Sequence, residues 1–315
     1  MKKLIVFAFV LLMAGPACSQ QRDEAAMVGP DTTMLLKDLR ILSSDSLGGR
    51  LTGSEGSRMA AAYIISRYED IGLTAYSAGY RQKFTALPRR HRGQEEVQDT
   101  TRGVNLLGLI QGYSDSVIVI SAHYDHVGTV DGEVYNGADD NASGVAVMLS
   151  LARYFASTKP EHTMIFAAFD AEEARLQGSR YFINSLEVDP SRIVLNVNMD
   201  MVSQSDKGEL YASGTRYHTF LKPYLLEVAR QSDVKLKFGH DGRDGLQDWT
   251  RSSDHGPFHE AGIPFIYFGV EDHPHYHKPT DTYDRVPIPF FKEAAGLIWR
   301  SVIALDQQLA KKRLE

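Results

Sequence analysis

Four short apolar runs in this chain each end in side chains able to bind a metal ion. VIVISA (117–122) leads into His123, Tyr124, Asp125 and His126, and TMIFAAF (163–169) into Asp170, Ala171, Glu172 and Glu173. RIVLNVNM (192–199) leads into Asp200, and IPFIYFGV (263–270) into EDHPHYHKPTDT (271–282). Another acidic pair, Asp139 and Asp140, sits in NGADDNASG (136–144), at the mouth of an apolar segment. Imidazole and carboxylate without thiolate form the donor set of zinc, cobalt or manganese in a catalytic site that keeps positions open. Adjacent Glu172 and Glu173 must diverge, so one can bind metal while the other faces the water that the metal activates, as metal-assisted hydrolysis requires. One aspartate before a helix caps the free N–H groups of its first turn. Two adjacent aspartates leave one to be explained.

The elements that must position these groups are legible as well. Each run is short, β-rich and apolar throughout, as are strands covered by helices on both sides. Between them Val145, Met148, Leu149, Ala152 and Phe155 keep helical spacing, which predicts crossover helices and an α/β sheet. Ligands of open α/β sheets bind at the carboxyl ends of the strands, so the four deliveries should converge on one edge. Upstream, MLLKDLRILSSD predicts a short amphipathic helix, and GGRLTGSEGSRMAAAYIISRYEDIGL a glycine-rich loop feeding a helix that stops at Gly72. No internal repeat or low-complexity linker divides the remainder, so a polar spacer (19–30) is expected to precede one domain (31–315).

With 315 residues, 43% hydrophobic content and a net charge of -6, the chain is globular and lacks the concentrated basic face that nucleic-acid binding needs. PRRHR (88–92) reads as a solvated loop. Residues 1–18, MKKLIVFAFVLLMAGPAC, combine two lysines, an apolar run from Leu4 to Ala14 and small residues, the pattern of a bacterial secretory signal. That run is too short to span a bilayer core of about 30 Å. Cys18, the only cysteine, stands where lipoprotein signals place the lipidated residue, although Gly15, Pro16 and Ala17 lack the usual leucine three before it. The chain is therefore expected to be exported to the periplasm or held as an outer-membrane or cell-surface lipoprotein, touching membrane only through that anchor, and to carry no disulfide.

HYD (123–125), GADDNASG (137–144), DAEE with LQGS (170–179), NMD (198–200), SDH (253–255) and YHKPTDT (276–282) occur in an order that closely resembles the di-zinc aminopeptidase family. That family comprises leucine-type bacterial aminopeptidases and is related to glutamate carboxypeptidases and glutaminyl cyclases. The resemblance covers nearly all of the mature chain. It implies an α/β fold with a mixed, mostly parallel sheet and helices on both faces, of the zinc-exopeptidase, phosphorylase/hydrolase-like type. It implies two Zn2+ ions, replaceable by Co2+ or Mn2+, one bound by His123 and Asp200, the other by Glu173 and His277, with Asp140 bridging and a cis bond after it. Glu172 is implied to be general base and acid on a peptide substrate with a free N-terminus. Tyr276 either hydrogen-bonds the developing oxyanion or is a packed aromatic.

Three more acids are expected to support the ligands: Asp125 by orienting the His123 imidazole, Asp139 as a partner or helix cap, and Asp254 within SDH. His126, His273 and His275 are expected at the rim. Arg175 departs from the pattern, because many relatives have glycine two residues after the Glu pair, and it or Arg243 could clamp a carboxylate. Alternative readings are a glutaminyl cyclase, a carboxypeptidase or dipeptidase on the same site, and a non-catalytic binding lipoprotein.

Overall fold

A computed structural model describes residues 29–87, 100–242 and 244–312. The signal segment with Cys18, the PRRHR run and Arg243 lie outside the described residues. The first helix, α1 (Thr32–Leu42), begins where the Asp31 carboxylate accepts the N–H groups of Thr33 and Met34. The second, α2 (Glu55–Ile71), is capped by Ser54 and ends at Gly72, whose φ of 87° is the left-handed conformation that glycine adopts without a Cβ penalty. Both were expected from the sequence.

The strands β1 (Thr74–Ala75), β2 (Arg81–Ala86), β3 (Thr101–Ile110) and β4 (Ser114–His123) follow. After the small hairpin β5 (Gly128–Val130) and β6 (Glu133–Tyr135) come α3 (Gly144–Thr158), β7 (His162–Phe169), α4 (Gln177–Asn184) and β8 (Ile193–Met199). The chain continues through β9 (Glu209–Ser213), α5 (Lys222–Ala229), β10 (Lys235–Phe238), α6 (His255–Glu260), β11 (Phe265–Gly269) and α7 (Ile288–Lys312). The main sheet has the order β1-β3-β7-β4-β8-β11-β9-β10, with β2 beside β3. Its four central strands, β7, β4, β8 and β11, run parallel. Towards the edges β3 is antiparallel to β7 and β9 to β11, so the sheet is mixed with a parallel centre.

Those central strands are the four apolar runs. Alternate residues serve opposite faces: Ile118, Ile120, Met164 and Phe166 pack with α1, α2, α3, α5 and α7, whereas Val117, Val119, Ile165 and Phe169 pack with Phe182 of α4 and Phe258 of α6. Burial on both faces accounts for the lack of alternation in their sequences. Because the four are mutually parallel, their carboxyl ends lie at one edge of the sheet. Among the described residues no helix is long and apolar enough to cross a membrane.

Candidate metal centre

His123 is the last residue of β4, Asp200 follows β8 directly, and Glu172 and Glu173 follow β7 after a turn at Ala171 with φ 57°. His277, with φ 51°, lies in the loop after β11, and Asp140 in the irregular turn Ala138–Ser143 that feeds α3. His123 Nε2 is 3.3 Å from Asp140 Oδ1 and 3.2 Å from Asp200 Oδ1. On the other side, His277 Nε2 is 3.1 Å from Asp140 Oδ2 and 3.3 Å from Glu173 Oε1. Asp140 thus turns a different oxygen to each group. Glu172 Oε2 stands farther off, 4.0 Å from His123 Nε2. The Asp140–Asn141 bond is cis.

The donor set fits divalent metal. His123 Nδ1 lies 3.1 Å from the Asp125 carbonyl, so its N–H is used there and the Nε2 lone pair faces the carboxylates, the tautomer a metal-bound histidine requires. Tetrahedral N and O donors 2.0–2.2 Å from a zinc are about 3.3 Å apart. The separations around Asp140 have this size.

The supports differ from expectation in detail. Asp125 meets the His123 ring through its backbone carbonyl, while its carboxylate, 3.7 Å from the ring, accepts the N–H groups of Glu172 at 3.0 Å and Glu173 at 3.3 Å. It positions the glutamate pair more directly than the imidazole. Asp139 does not cap α3: its Oδ1 accepts the N–H and hydroxyl of Ser203, at 2.6 and 2.8 Å, and its Oδ2 is 3.0 Å from His273 Nε2. Asn141 takes the capping role, with Oδ1 accepting the Gly144 N–H at 3.0 Å and Nδ2 donating to the Met199 carbonyl. Asp254 is fully buried, and burial lifts its pKa to about 7.

Two supports had no role assigned from sequence. Asp281 accepts the backbone N–H groups of Asp139 and Asp140. Buried Arg50 donates to the carbonyls of Tyr124, Asn136 and Gly137. Both bond to main chain far away in sequence, which no spacing rule reveals.

Burial pushes the Glu172 carboxyl well above the ordinary range, and the charges of Asp200, Glu173 and Asp254 push the same way against the pull of His123. Burial alone would lower His123, but Asp200 and Glu172 outweigh it and raise it well above its usual value. Burial opposes ionisation of Asp140, yet His126, His123 and His277 hold it well below the carboxylate range. A cluster with this many buried acids calls for cations.

The cleft over the centre holds about 440 Å³ and is lined by Glu172, Arg175, Met201, Arg251, Tyr276 and His277 among others. Tyr276 stacks on the His277 ring, centroids 3.9 Å apart. Of the histidines expected at the rim or in loops, His275 is half-buried. His273 is half-buried against Asp139, and His126 is fully buried beside Glu173.

The sequence profile of peptidase family M28 matches residues 105–302, from β3 into α7. The chain belongs to peptidase family M28. Among its M28 relatives, aminopeptidase YwaD of Bacillus subtilis (strain 168) is 34% identical over 195 residues, covering 59% of this chain and 40% of that protein. The chain spans about half the length of the curated relatives it matches. A zinc aminopeptidase from Bacillus subtilis has the same fold, with a TM-score of 0.68 at 19% identity over 86% of this chain and 94% of that one. Porphyromonas gingivalis glutaminyl cyclase also has it, with a TM-score of 0.70 at 19% identity over 89% and 99%. At such identities the likeness establishes the fold, and the M28 chemistry must be argued from the side chains.

Proposed function

We propose that this M28 chain is an exported zinc aminopeptidase that releases residues from peptides with a free N-terminus. Two ions would be held by His123, Asp140 and Asp200 and by Asp140, Glu173 and His277. The observation that carries this reading is the split of Asp140, whose Oδ1 faces His123 and whose Oδ2 faces His277. Bound divalent ions supply a water acidic enough to lose a proton near neutral pH and a Lewis acid for the scissile carbonyl. Glu172 would accept a proton as general base and return it to the leaving amine. The Asp125 carboxylate fixes the backbone of the Glu172–Glu173 turn, so the base and its neighbouring ligand keep their divergence. Tyr276, at the cleft wall, would hydrogen-bond the developing oxyanion, and its stacking on His277 restricts its ring. Residues 1–18 would direct export, Cys18 would carry the lipid, and residues 31–315 would form the peptidase domain.

The test is mass spectrometry of a peptide mixture with free and blocked N-termini, incubated with the mature protein after chelation and after zinc reloading. Zinc-dependent loss of single residues from free N-termini is expected. Loss of ammonia from N-terminal glutamine, C-terminal trimming, or no change despite bound zinc would replace this reading with a cyclase, a carboxypeptidase or a binding protein. In the same assay Glu172→Gln keeps its zinc and loses at least ~100-fold in turnover, whereas His123→Ala loses zinc.

A further inference from the structure

His126 belongs to the centre. Its side chain is fully buried, and neither ring nitrogen has a hydrogen-bond partner among the described residues, which is uncommon for a buried imidazole. Nδ1 is 2.8 Å from Glu173 Oε1, a contact not aligned as a hydrogen bond, and 3.6 Å from Asp140 Oδ2. Its potential ligand atom and those of Asp140 and Glu173 all lie within 4.8 Å of one another. Gly137 makes room for the ring, since a Cβ there would come 2.6 Å from His126 Cδ2.

We propose that His126 Nδ1 is a further ligand of the ion held by Asp140, Glu173 and His277, an inference that rests on the two-ion reading above. The separations carry it. From the two imidazoles to the two carboxylates, His126 contributes 2.8 and 3.6 Å and His277 contributes 3.3 and 3.1 Å. They bracket the about 3.3 Å expected between neighbouring donors on one zinc. An Nδ1 used as a lone-pair donor also resolves the orphaned nitrogen, which a proton pointing away from Glu173 would not. The consequence is an asymmetric centre: two imidazoles serve one ion, and His123 alone serves the other. The ion at His123 and Asp200 is then the more weakly held, and the first to leave under partial chelation.

The test compares wild-type protein with His126→Gln, both stripped of metal and reloaded. Zinc affinity is measured against a chromophoric chelator, and proton NMR of the cobalt(II)-loaded protein counts hyperfine-shifted imidazole N–H signals. Three such signals are expected in the wild type and two in His126→Gln. The variant should lose more than ~100-fold in affinity for one ion, beyond the 10–100-fold typical of a residue that only orients a ligand. Two signals in the wild type would overturn the proposal without reference to any variant. Weaker zinc binding with an unchanged signal count would place His126 behind the ligands and overturn it too. A wild type that binds only one ion fails the two-ion reading, and His126 is then judged by whether its own signal disappears in His126→Gln. Failure to cleave peptides, with two ions and three imidazoles bound, would sink the aminopeptidase reading and leave this one standing.

Discussion

Asp281 Oδ2 accepts the backbone N–H of Asp140 at 3.1 Å, and both Asp281 oxygens lie 3.0 Å from the N–H of Asp139. The Asp281 carbonyl accepts the N–H of Ala138 at 3.1 Å. One residue from the loop after β11 thus fixes three consecutive amides of the turn that presents Asp140, and that same loop carries His277. Asp281→Ala leaves the Asp139 and Asp140 N–H groups buried and unpaired. A loss of about 3 kcal/mol is expected, with 10–100-fold weaker zinc binding. Asp281→Asn, which keeps one acceptor, should lose less of both. Unchanged thermal unfolding and full zinc retention in Asp281→Ala would show that the turn holds itself.

Arg50 makes the equivalent clamp from the other side. Its guanidinium donates to the carbonyls of Tyr124 at 2.7 Å, Asn136 at 2.6 Å, Gly137 at 3.0 Å and Leu42. Burial lowers its pKa to about 10, against the attraction of Asp140 and Asp281, so it stays charged at neutral pH. Arg50→Met preserves the apolar stem and strands four carbonyls, and the urea midpoint should fall by the equivalent of about 3–5 kcal/mol. Arg50→Lys should recover only part, because an ammonium cannot reach the fork of carbonyls in one plane. A midpoint within error of the wild type in Arg50→Met would refute the clamp.

The contrast between these two residues and the proposed ligands shows what the sequence could reveal. His123, Glu173 and Asp200 were legible as candidate ligands because strand ends announce themselves by local composition, whereas Asp140 and His277 were singled out by the resemblance of GADDNASG and YHKPTDT. The helices that end at Leu42 and Ile71 were legible through their caps and periodicity. Arg50 and Asp281 act on backbone atoms that come close only after folding, so GGRLTGSEG and YHKPTDT named them without a role. His126 and His275 illustrate the same limit for side chains. Both are histidines near proposed ligands in sequence, and only the folded chain decides that one is fully buried and the other half-buried. The edge strand β10 and its neighbour β9 went unread because neither ELYAS nor KLKF is a continuous apolar run like the central strands.

Arg175 occupies a backbone position suited to glycine, with φ 74°, and Leu176 follows at φ 59°. A side chain in the left-handed region costs about 1–2 kcal/mol, so the departure noted in the sequence is also a local strain. Arg175→Gly should raise Tm by about 2 °C, corresponding to somewhat under 1 kcal/mol once the added freedom of the unfolded chain is subtracted. Because Arg175 and Arg251 line the cleft, the same variant should lower kcat/KM for substrates bearing a carboxylate near the scissile bond more than for neutral ones. A fall in Tm would mean that the guanidinium stabilises the turn by more than its backbone costs.

His255 gives a pH dependence located away from the ligands. It is fully buried against Phe265 and Tyr267, its Nε2–H donates to the Trp249 carbonyl at 2.8 Å, and its Nδ1 has no hydrogen-bond partner among the described residues. Burial lowers its pKa to about 3, with the Trp249 carbonyl and Asp248 raising it slightly and His259 lowering it further. The folded state therefore refuses a proton that the unfolded chain accepts below its ordinary value of about 6.5. Stability is fully present above that value and drains away as pH falls towards 3, by about 2 kcal/mol at about pH 5. His255→Gln keeps an N–H for Trp249 and cannot titrate. Its deficit against the wild type at neutral pH should shrink by that amount on acidification, measured as the difference between two urea curves at each pH. A deficit that stays constant from pH 8 to pH 5 would mean that His255 takes up its proton in the folded protein as readily as in the unfolded one.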